Sequence, residues 1–176
     1  MAKKANFSNI YKFYDLINSL LTLGFDESWR SKASSYISGT RVLDLGSGTG
    51  AALQQLQNYE VTAVDPDEKM LLLNKFEHKI IGEAENLPFP DNSFDSVYCA
   101  FVWRNLNNSK LGLQEVYRVL KPGGKFVLLD MTRPKNNFLR ILHKVGTFKI
   151  TLLIGLLTFN LKEYKFLHSS LDTVSY

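Results

Sequence analysis

The sequence predicts an α/β fold: a mainly parallel sheet flanked by helices, with a helical cap at the N-terminus. Three observations predict it. An apolar run of strand character, Arg41 to Leu45, stops at glycines in alternate positions (Gly46, Gly48, Gly50), and a short helical pattern of Ala51, Ala52, Leu53 and Leu56 follows. A second run, Glu60-Val61-Thr62-Ala63-Val64-Asp65, ends on an acid. Strand-like and helix-like segments then alternate as far as residue 131, the pattern of a parallel sheet with right-handed crossovers.

Length and composition bound the reading. A chain of 176 residues, 45% apolar and 22% charged, is most simply one domain with a core of ordinary size. A net charge of +4 is mild and calls for no nucleic-acid partner. The single cysteine, Cys99, excludes an internal disulfide and a multi-cysteine metal site and fits a reducing cytoplasm. The N-terminal Met1-Ala2-Lys3-Lys4 has no apolar stretch behind it, so it does not read as a secretion signal.

Taken in order, residues 7–38 have aromatic-rich helical spacing, with a break at Gly24 and Asp26 and a second helix beginning near Glu27. This segment is either a cap packed on the sheet or also a lid that excludes water. After the first two strands, a helix is expected from about Asp67 to Phe76, with Met70 either in the core or on a ligand face. The third strand is Lys79–Gly82, and Glu83 sits at its C-terminal end, where α/β sheets bind ligands. Glu85 reads as solvated or structural. Asp91-Asn92-Ser93 is turn chemistry, Phe94–Phe101 the fourth strand and Ser109–Leu120 a helix. Lys121-Pro122-Gly123-Gly124 is a turn into the fifth strand, Lys125–Met131. The expected divisions are a cap over 1–38, a ligand-binding core over 39–131 and a helical segment over 132–176 that faces substrate or membrane.

The glycines let backbone approach a ligand, because no Cβ intervenes. Asp44, two residues before Gly46, can meet a cationic or N–H-bearing group, and Asp65 stands where an acid takes ribose hydroxyls. A carboxylate at Asp44 repels a pyrophosphate, so the pair suits a ligand without phosphate. S-adenosylmethionine, with its ammonium, sulfonium and ribose, is such a ligand. The arrangement Asp-x-Gly-x-Gly-x-Gly with Asp65 resembles the Rossmann-like class I S-adenosylmethionine-dependent methyltransferases. The predicted cofactor residues are Asp44, Gly46, Ser47, Gly48, Gly50, Asp65, Pro66, Met70, Glu83, Ala84 and Phe101. Within that set Glu83 would accept from the adenine amino group and the Ala84 N–H would serve a ring nitrogen. A dinucleotide oxidoreductase fits Gly46-x-Gly48-x-x-Ala51 formally, but Asp44 and Glu83 argue against it.

Longer motifs sharpen the likeness. Tyr14-Asp15-x-x-Asn18-x-x-Leu21-Thr22-x-Gly24-x4-Trp29-Arg30 resembles the N-terminal signature of the ubiquinone/menaquinone biosynthesis C-methyltransferases. Ala84–Asp95, Arg104-Asn105 and Tyr117–Lys125 resemble their later motifs. The sequence departs from that pattern at Ile17, Thr22, Asp26, Asp130 and Thr132. It ends at Tyr176, before the helix and antiparallel strand pair that the resemblance would add. A five-stranded sheet would leave an edge for a second copy or a partner subunit to cover.

The resemblance implies transfer of a methyl group to a ring carbon of a polyprenylated quinol, with no metal. Arg104 would stabilise a phenolate or orient a water, since a guanidinium stays protonated, and the alternative is a salt bridge to a surface acid. Asn105 would orient the ring oxygen or serve as a plain loop residue. Tyr14, Asp15 and Asn18 would lie over the acceptor or cap helices. His78, His143 and His168 read as structural or surface residues. Ile150–Leu161, bracketed by Lys149 and Lys162, falls short of the about 20 residues that span a bilayer. It reads as an interfacial helix, a buried helix or a dimer contact. The expected location is cytoplasmic, peripheral at a membrane. Two alternatives stay open: a methyltransferase for another small lipophilic acceptor, and a shortened cofactor-binding module that needs a partner subunit.

Overall fold

The computed structural model describes residues 19, 22, 24–157 and 168–172. Two compact units divide the chain: Phe25–Asp130, and Met1–Gly24 together with Met131–Tyr176. The first division thus falls at 24 rather than 38. The reason is α1 (Asp26–Ser34), which packs on the sheet and buries Arg30 inside the larger unit. Tyr14, Asp15 and Asn18 lie outside the described residues, as does most of the predicted cap.

The larger unit contains β1 (Arg41–Leu45), α2 (Leu53–Leu56), β2 (Glu60–Asp65), α3 (Glu68–Leu73), β3 (His78–Ile81), β4 (Phe94–Ala100), a 3-10 turn (Trp103–Asn105), α4 (Ser109–Val119) and β5 (Leu120–Leu129). All pairings are parallel, in the order β3-β2-β1-β4-β5. Chain order reverses between β1 and β4, so the ligand crevice of such a sheet opens past Leu45 and Ala100. The central strands are β-branched and apolar because both of their faces are covered. Val42, Leu43, Ala63, Val64, Val97, Tyr98 and Cys99 are fully buried. Edge strand β3 exposes all four of its side chains.

Each predicted strand is present, with one correction. β5 begins at Leu120 rather than Lys125, because Leu120 already pairs with Phe94 and Ser96 pairs next with Lys125. The expected Lys121–Gly124 turn is a bulge inside the strand, with Gly123 at φ +79° and Lys121 Nζ donating to Asp95 Oδ1 at 2.7 Å. The other Asp95 oxygen accepts from the Thr40 and Arg41 backbone N–H groups (3.0 and 2.9 Å), tying β1 to β4. These bonds hold the Asp95 carboxyl well below the usual carboxylate range. Much of the 84–95 motif is structural in the same way. Arg118 donates to the carbonyls of Leu87 and Phe89 and to Asp91 and Glu115, while Glu115 accepts from Leu87 N–H. Glu85 accepts from the Asn107 and Asn108 N–H groups.

In the smaller unit, α5 (Asn137–Leu157) starts well before the predicted apolar stretch, and Lys149 lies mid-helix rather than at an end. The upstream residues continue the helical pattern without a breaker, since Gly146 alone does not end a helix. Residues 158–161 lie outside the described set. Arg133 holds residues 168–172, donating to Asp172 Oδ1 at 2.6 Å and to the His168 carbonyl at 2.8 Å. His143 and His168 flank that guanidinium, which accounts for them as structural residues.

Candidate functional site

β1 ends against the C-terminal end of β2. The Gly46 and Ser47 N–H groups both donate to the Val64 carbonyl (2.8 and 3.0 Å) and fix the start of the glycine loop. The three glycines do different work. A Cβ on Gly46 would lie 2.5 Å from the Val102 side chain, and one on Gly50 would lie 2.7 Å from Asn74 Oδ1, so protein packing demands both. Gly48, at φ +52°, has no atom within 4 Å of where its Cβ would be. Only there does the loop offer bare backbone to a ligand, as the sequence reading had it for all three.

Asp44 is buried on β1 beside Tyr98 in register, and its Oδ2 has no partner. Burial pushes its carboxyl up to about 7; the Arg30 guanidinium pulls it down and the Asp65 carboxylate adds to the rise. Asp65 closes β2 and accepts from the Gly48 N–H (2.9 Å) and the Asp67 N–H (2.8 Å). Burial raises it to about 6 against those two bonds. The ribose-binding acid of the sequence reading therefore also shapes the glycine loop. Phe101 stands past β4 at φ +65°, a strained conformation for an aromatic residue, and its N–H donates to the Leu129 carbonyl at 2.7 Å. Its ring lies under the Arg30 guanidinium, 4.8 Å from centroid to Cζ.

Arg104 occupies the 3-10 turn beyond β4. The alternative partner considered was a surface acid. Its partner is Asp130 instead, and both side chains have 0% exposure. The Arg104 N–H also donates to Asp130 Oδ2 at 2.9 Å. Arg104 Nε and Nη2 and Asn105 Oδ1 remain without partners. Among the described residues, six of the seven buried side-chain polar atoms without a partner belong to Arg30, Asp44, Tyr98, Arg104 and Asn105. Such atoms are rare in folded chains, and here they cluster around the ends of β1 and β4.

The remaining predicted residues are spread more widely. Ser47 is buried, Pro66 is exposed, and Met70 is buried. Glu83 is exposed and bridges antiparallel to Asn86, while Ala84 is half-buried against the core. A groove of ≈ 550 Å³ opens at the opposite ends of the strands, between Arg41, Tyr59, Glu60, Lys75 and His78. It contains none of these residues.

Three supports escaped sequence reasoning. Arg30 belongs to the quoted Trp29-Arg30 pair but carried no role; its neighbours at helical spacing, Asp26, Glu27, Ala33 and Ser34, form no apolar face that would mark it as buried. Asp130 was noted only as a departure. Asn74 gave no signal at all. It is buried, and its Nδ2 donates to Ser47 Oγ and to the Gly48 carbonyl, both at 3.1 Å. Its Oδ1 accepts from the Phe76 N–H at 2.9 Å. Asn74→Ala strands two buried backbone groups and is expected to lower the unfolding free energy by about 1–3 kcal/mol. The check is the urea midpoint, which should fall with the m-value unchanged.

The chain is similar to known proteins in sequence and fold. Residues 2–175 match the model of the ubiE/COQ5 methyltransferase family. The ubiquinone/menaquinone biosynthesis C-methyltransferase UbiE of Rickettsia bellii is 35% identical over 187 residues, covering 94% of this chain and 75% of that protein. The UbiE of Geobacter sulfurreducens is also 35% identical, over 93% of this chain and 71% of its own length. Among solved structures, a SAM-dependent methyltransferase from Thermotoga maritima has a TM-score of 0.67 at 24% identity, covering 82% of this chain and 68% of that one. The YcgJ protein of Bacillus subtilis has a TM-score of 0.55 at 30% identity, over 66% and 56% of the two chains. The Thermotoga likeness shows the fold.

Proposed function

Because this chain belongs to the ubiE/COQ5 methyltransferase family, we propose that its S-adenosylmethionine-dependent methyl transfer goes to a ring carbon of a polyprenylated quinol precursor. The likeness to the UbiE C-methyltransferases, at 35% identity over nearly the whole chain, is the observation that carries this reading. The site's residues fit the cofactor. Asp44 presents an unpartnered buried oxygen to a cation, and Gly48 leaves open the space a Cβ would fill.

When bound, S-adenosylmethionine supplies an electrophilic methyl carbon on its sulfonium. The chain then has to hold, orient and exclude. Asp44 takes the ammonium end, Asp65 the ribose hydroxyls, and Glu83 with the Ala84 N–H the adenine edge. Ser47, Pro66, Met70 and Phe101 complete the walls. Holding two reactants in line supplies much of the rate by itself. A phenol must also give its proton to water before its ring carbon is a good nucleophile, and once methylated that carbon must release its own hydrogen as a proton to restore the aromatic ring. The unpartnered Nε and Nη2 donors of Arg104 stabilise the phenolate, and Asn105 orients the ring oxygen. Among the described residues no helix is long and apolar enough to cross a membrane. We place the enzyme in the cytoplasm, peripheral to the membrane that holds so lipophilic an acceptor.

Calorimetric titration tests the cofactor site directly. S-adenosylmethionine should bind at micromolar concentration and NADH should not, with Asp65→Ala weakening the former by about tenfold or more through lost hydroxyl bonds. Incubation with a demethylated quinol should then place the methyl on ring carbon. Transfer to oxygen, or binding of NADH instead, would overturn the reading.

A further inference from the structure

The polarity of α5 is inverted for a helix in water. Its buried side carries Thr147, Thr151 and Gly155, with His143 half-buried beside them. The two hydroxyls are satisfied within the helix, Thr147 donating to the His143 carbonyl at 2.7 Å and Thr151 to the Thr147 carbonyl at 2.8 Å. Arg133 Nη1 also donates to Thr147 Oγ1 at 3.4 Å, so the polar side is buried with its groups partnered. The opposite side is hydrocarbon. Phe138, Ile141, Val145, Phe148, Leu152 and Leu156 recur at three- and four-residue steps, which places them on one stripe. They are exposed, Phe138 by 74%, Ile141 by 65% and Leu156 by 54%. At 1.5 Å per residue, the stripe runs for about 27 Å.

Charge identifies what covers it. From Met131 to Lys162 the sequence has no Asp or Glu, while Lys135, Arg140, Lys144 and Lys149 are all exposed. Asp172 reaches back toward Arg140 (4.0 Å) and Lys144 (3.9 Å) but is already engaged by Arg133, so the cluster stays positive. Lys149 falls within the apolar stripe, where a long stem can lie along hydrocarbon and carry its ammonium to a polar boundary. A second copy would set this cationic face against itself, which like charges oppose. A lipid surface with anionic headgroups meets both features at once: acyl chains for the stripe and phosphate for the flanking cations.

We propose that the exposed face of α5 docks this protein on an anionic lipid bilayer, lying along the surface rather than crossing it. The inference rests on the lipophilic acceptor proposed above, since such an acceptor has to be drawn from a bilayer. It adds which face does the docking and which lipid it selects.

Sedimentation with vesicles tests it on the whole chain. Binding to phosphatidylglycerol/phosphatidylcholine vesicles should exceed binding to phosphatidylcholine alone by about tenfold at low salt, and should fall as salt rises. Val145→Glu with Leu152→Glu puts charge on the stripe at exposed positions and should lower that binding by about tenfold or more. Lys149→Glu should lower it less. Circular dichroism verifies that each variant is folded. As a second readout, a nitrobenzoxadiazole label on Val145→Cys should shift to the blue with the anionic vesicles. Equal binding to both vesicle types, or binding untouched by the stripe variants, would overturn the proposal. So would a dimer that the stripe variants dissociate without any vesicle binding, which would assign the face to a second copy. Titration of S-adenosylmethionine on the same samples separates the two readings. Cofactor binding without vesicle binding ends the docking proposal alone, whereas vesicle binding without cofactor binding ends the catalytic one.

Discussion

Arg104→Ala should lower kcat by about a hundred- to a thousandfold, the usual loss when one donor to a developing oxyanion is removed. It should also cost about 3–5 kcal/mol of stability, because a fully buried ion pair loses one of its two partners. The second effect threatens to hide the first, since a partly unfolded enzyme is slow for a trivial reason. The geometry offers a way to separate them. Asp130 uses one oxygen for the guanidinium and the other for the Arg104 backbone N–H. In the double variant Arg104→Leu with Asp130→Asn, no charge remains buried and an amide oxygen can still accept that N–H. Most of the lost stability should return, read as a urea midpoint near that of the parent. Turnover should not, because the Nε and Nη2 donors are gone. Recovery of both together would make Arg104 a structural residue and remove it from the chemistry.

Fold and site were legible in the sequence to different degrees, for physical reasons. β1, β2 and β4 announce themselves because a strand buried on both faces must be continuously apolar, and Gly46 and Asp65 mark where two of them end. β5 was misplaced at its start because Pro122-Gly123-Gly124 is turn chemistry wherever it occurs, and only the pairing of Leu120 with Phe94 makes it a bulge. The glycine loop was legible as a loop but not in its division of labour. Gly46 and Gly50 answer to Val102 and Asn74, residues far away in sequence that no local pattern connects to them. Asn74 is silent for the same reason, since its value lies in two hydrogen bonds to a loop 26 and 27 residues earlier. Arg104 was found through its motif, while its partner Asp130 was seen only as a departure. An ion pair buried between two strand ends has no signature in either segment alone.

Cofactor affinity and free-chain stability should respond to pH in opposite directions, with Asp44 responsible for both. Burial raises its carboxyl from 3.8 in the unfolded chain to about 7 in the folded one. A raised folded-state value gives stability that is fully present below the unfolded pKa and lost as pH rises through the folded one. Lowering the pH from 8 to 6.5 should therefore stabilise the free protein by about 1 kcal/mol, a rise in Tm of about 2–4 °C. At the acid end of that window Asp65, raised to about 6, adds a smaller stabilisation of the same sign, while His143, held below its usual value by burial and Arg133, works against it. Binding runs the other way, because only the ionised carboxylate attracts a cation. Between pH 8 and 6 the protonation of Asp44 should weaken affinity by about tenfold. The ligand's own amino group gains protons over the same interval and works against this, equally in parent and variant. The clean readout is therefore the ratio of Kd values for Asp44→Asn and the parent. At pH 8 the ratio should be large, about 30-fold or more for a lost buried charge pair, and it should shrink about tenfold by pH 6. The variant's Tm should also lose the rise seen in the parent between pH 8 and 6.5. A ratio that holds constant across the range would place the titrating group elsewhere and leave Asp44 as a neutral core residue.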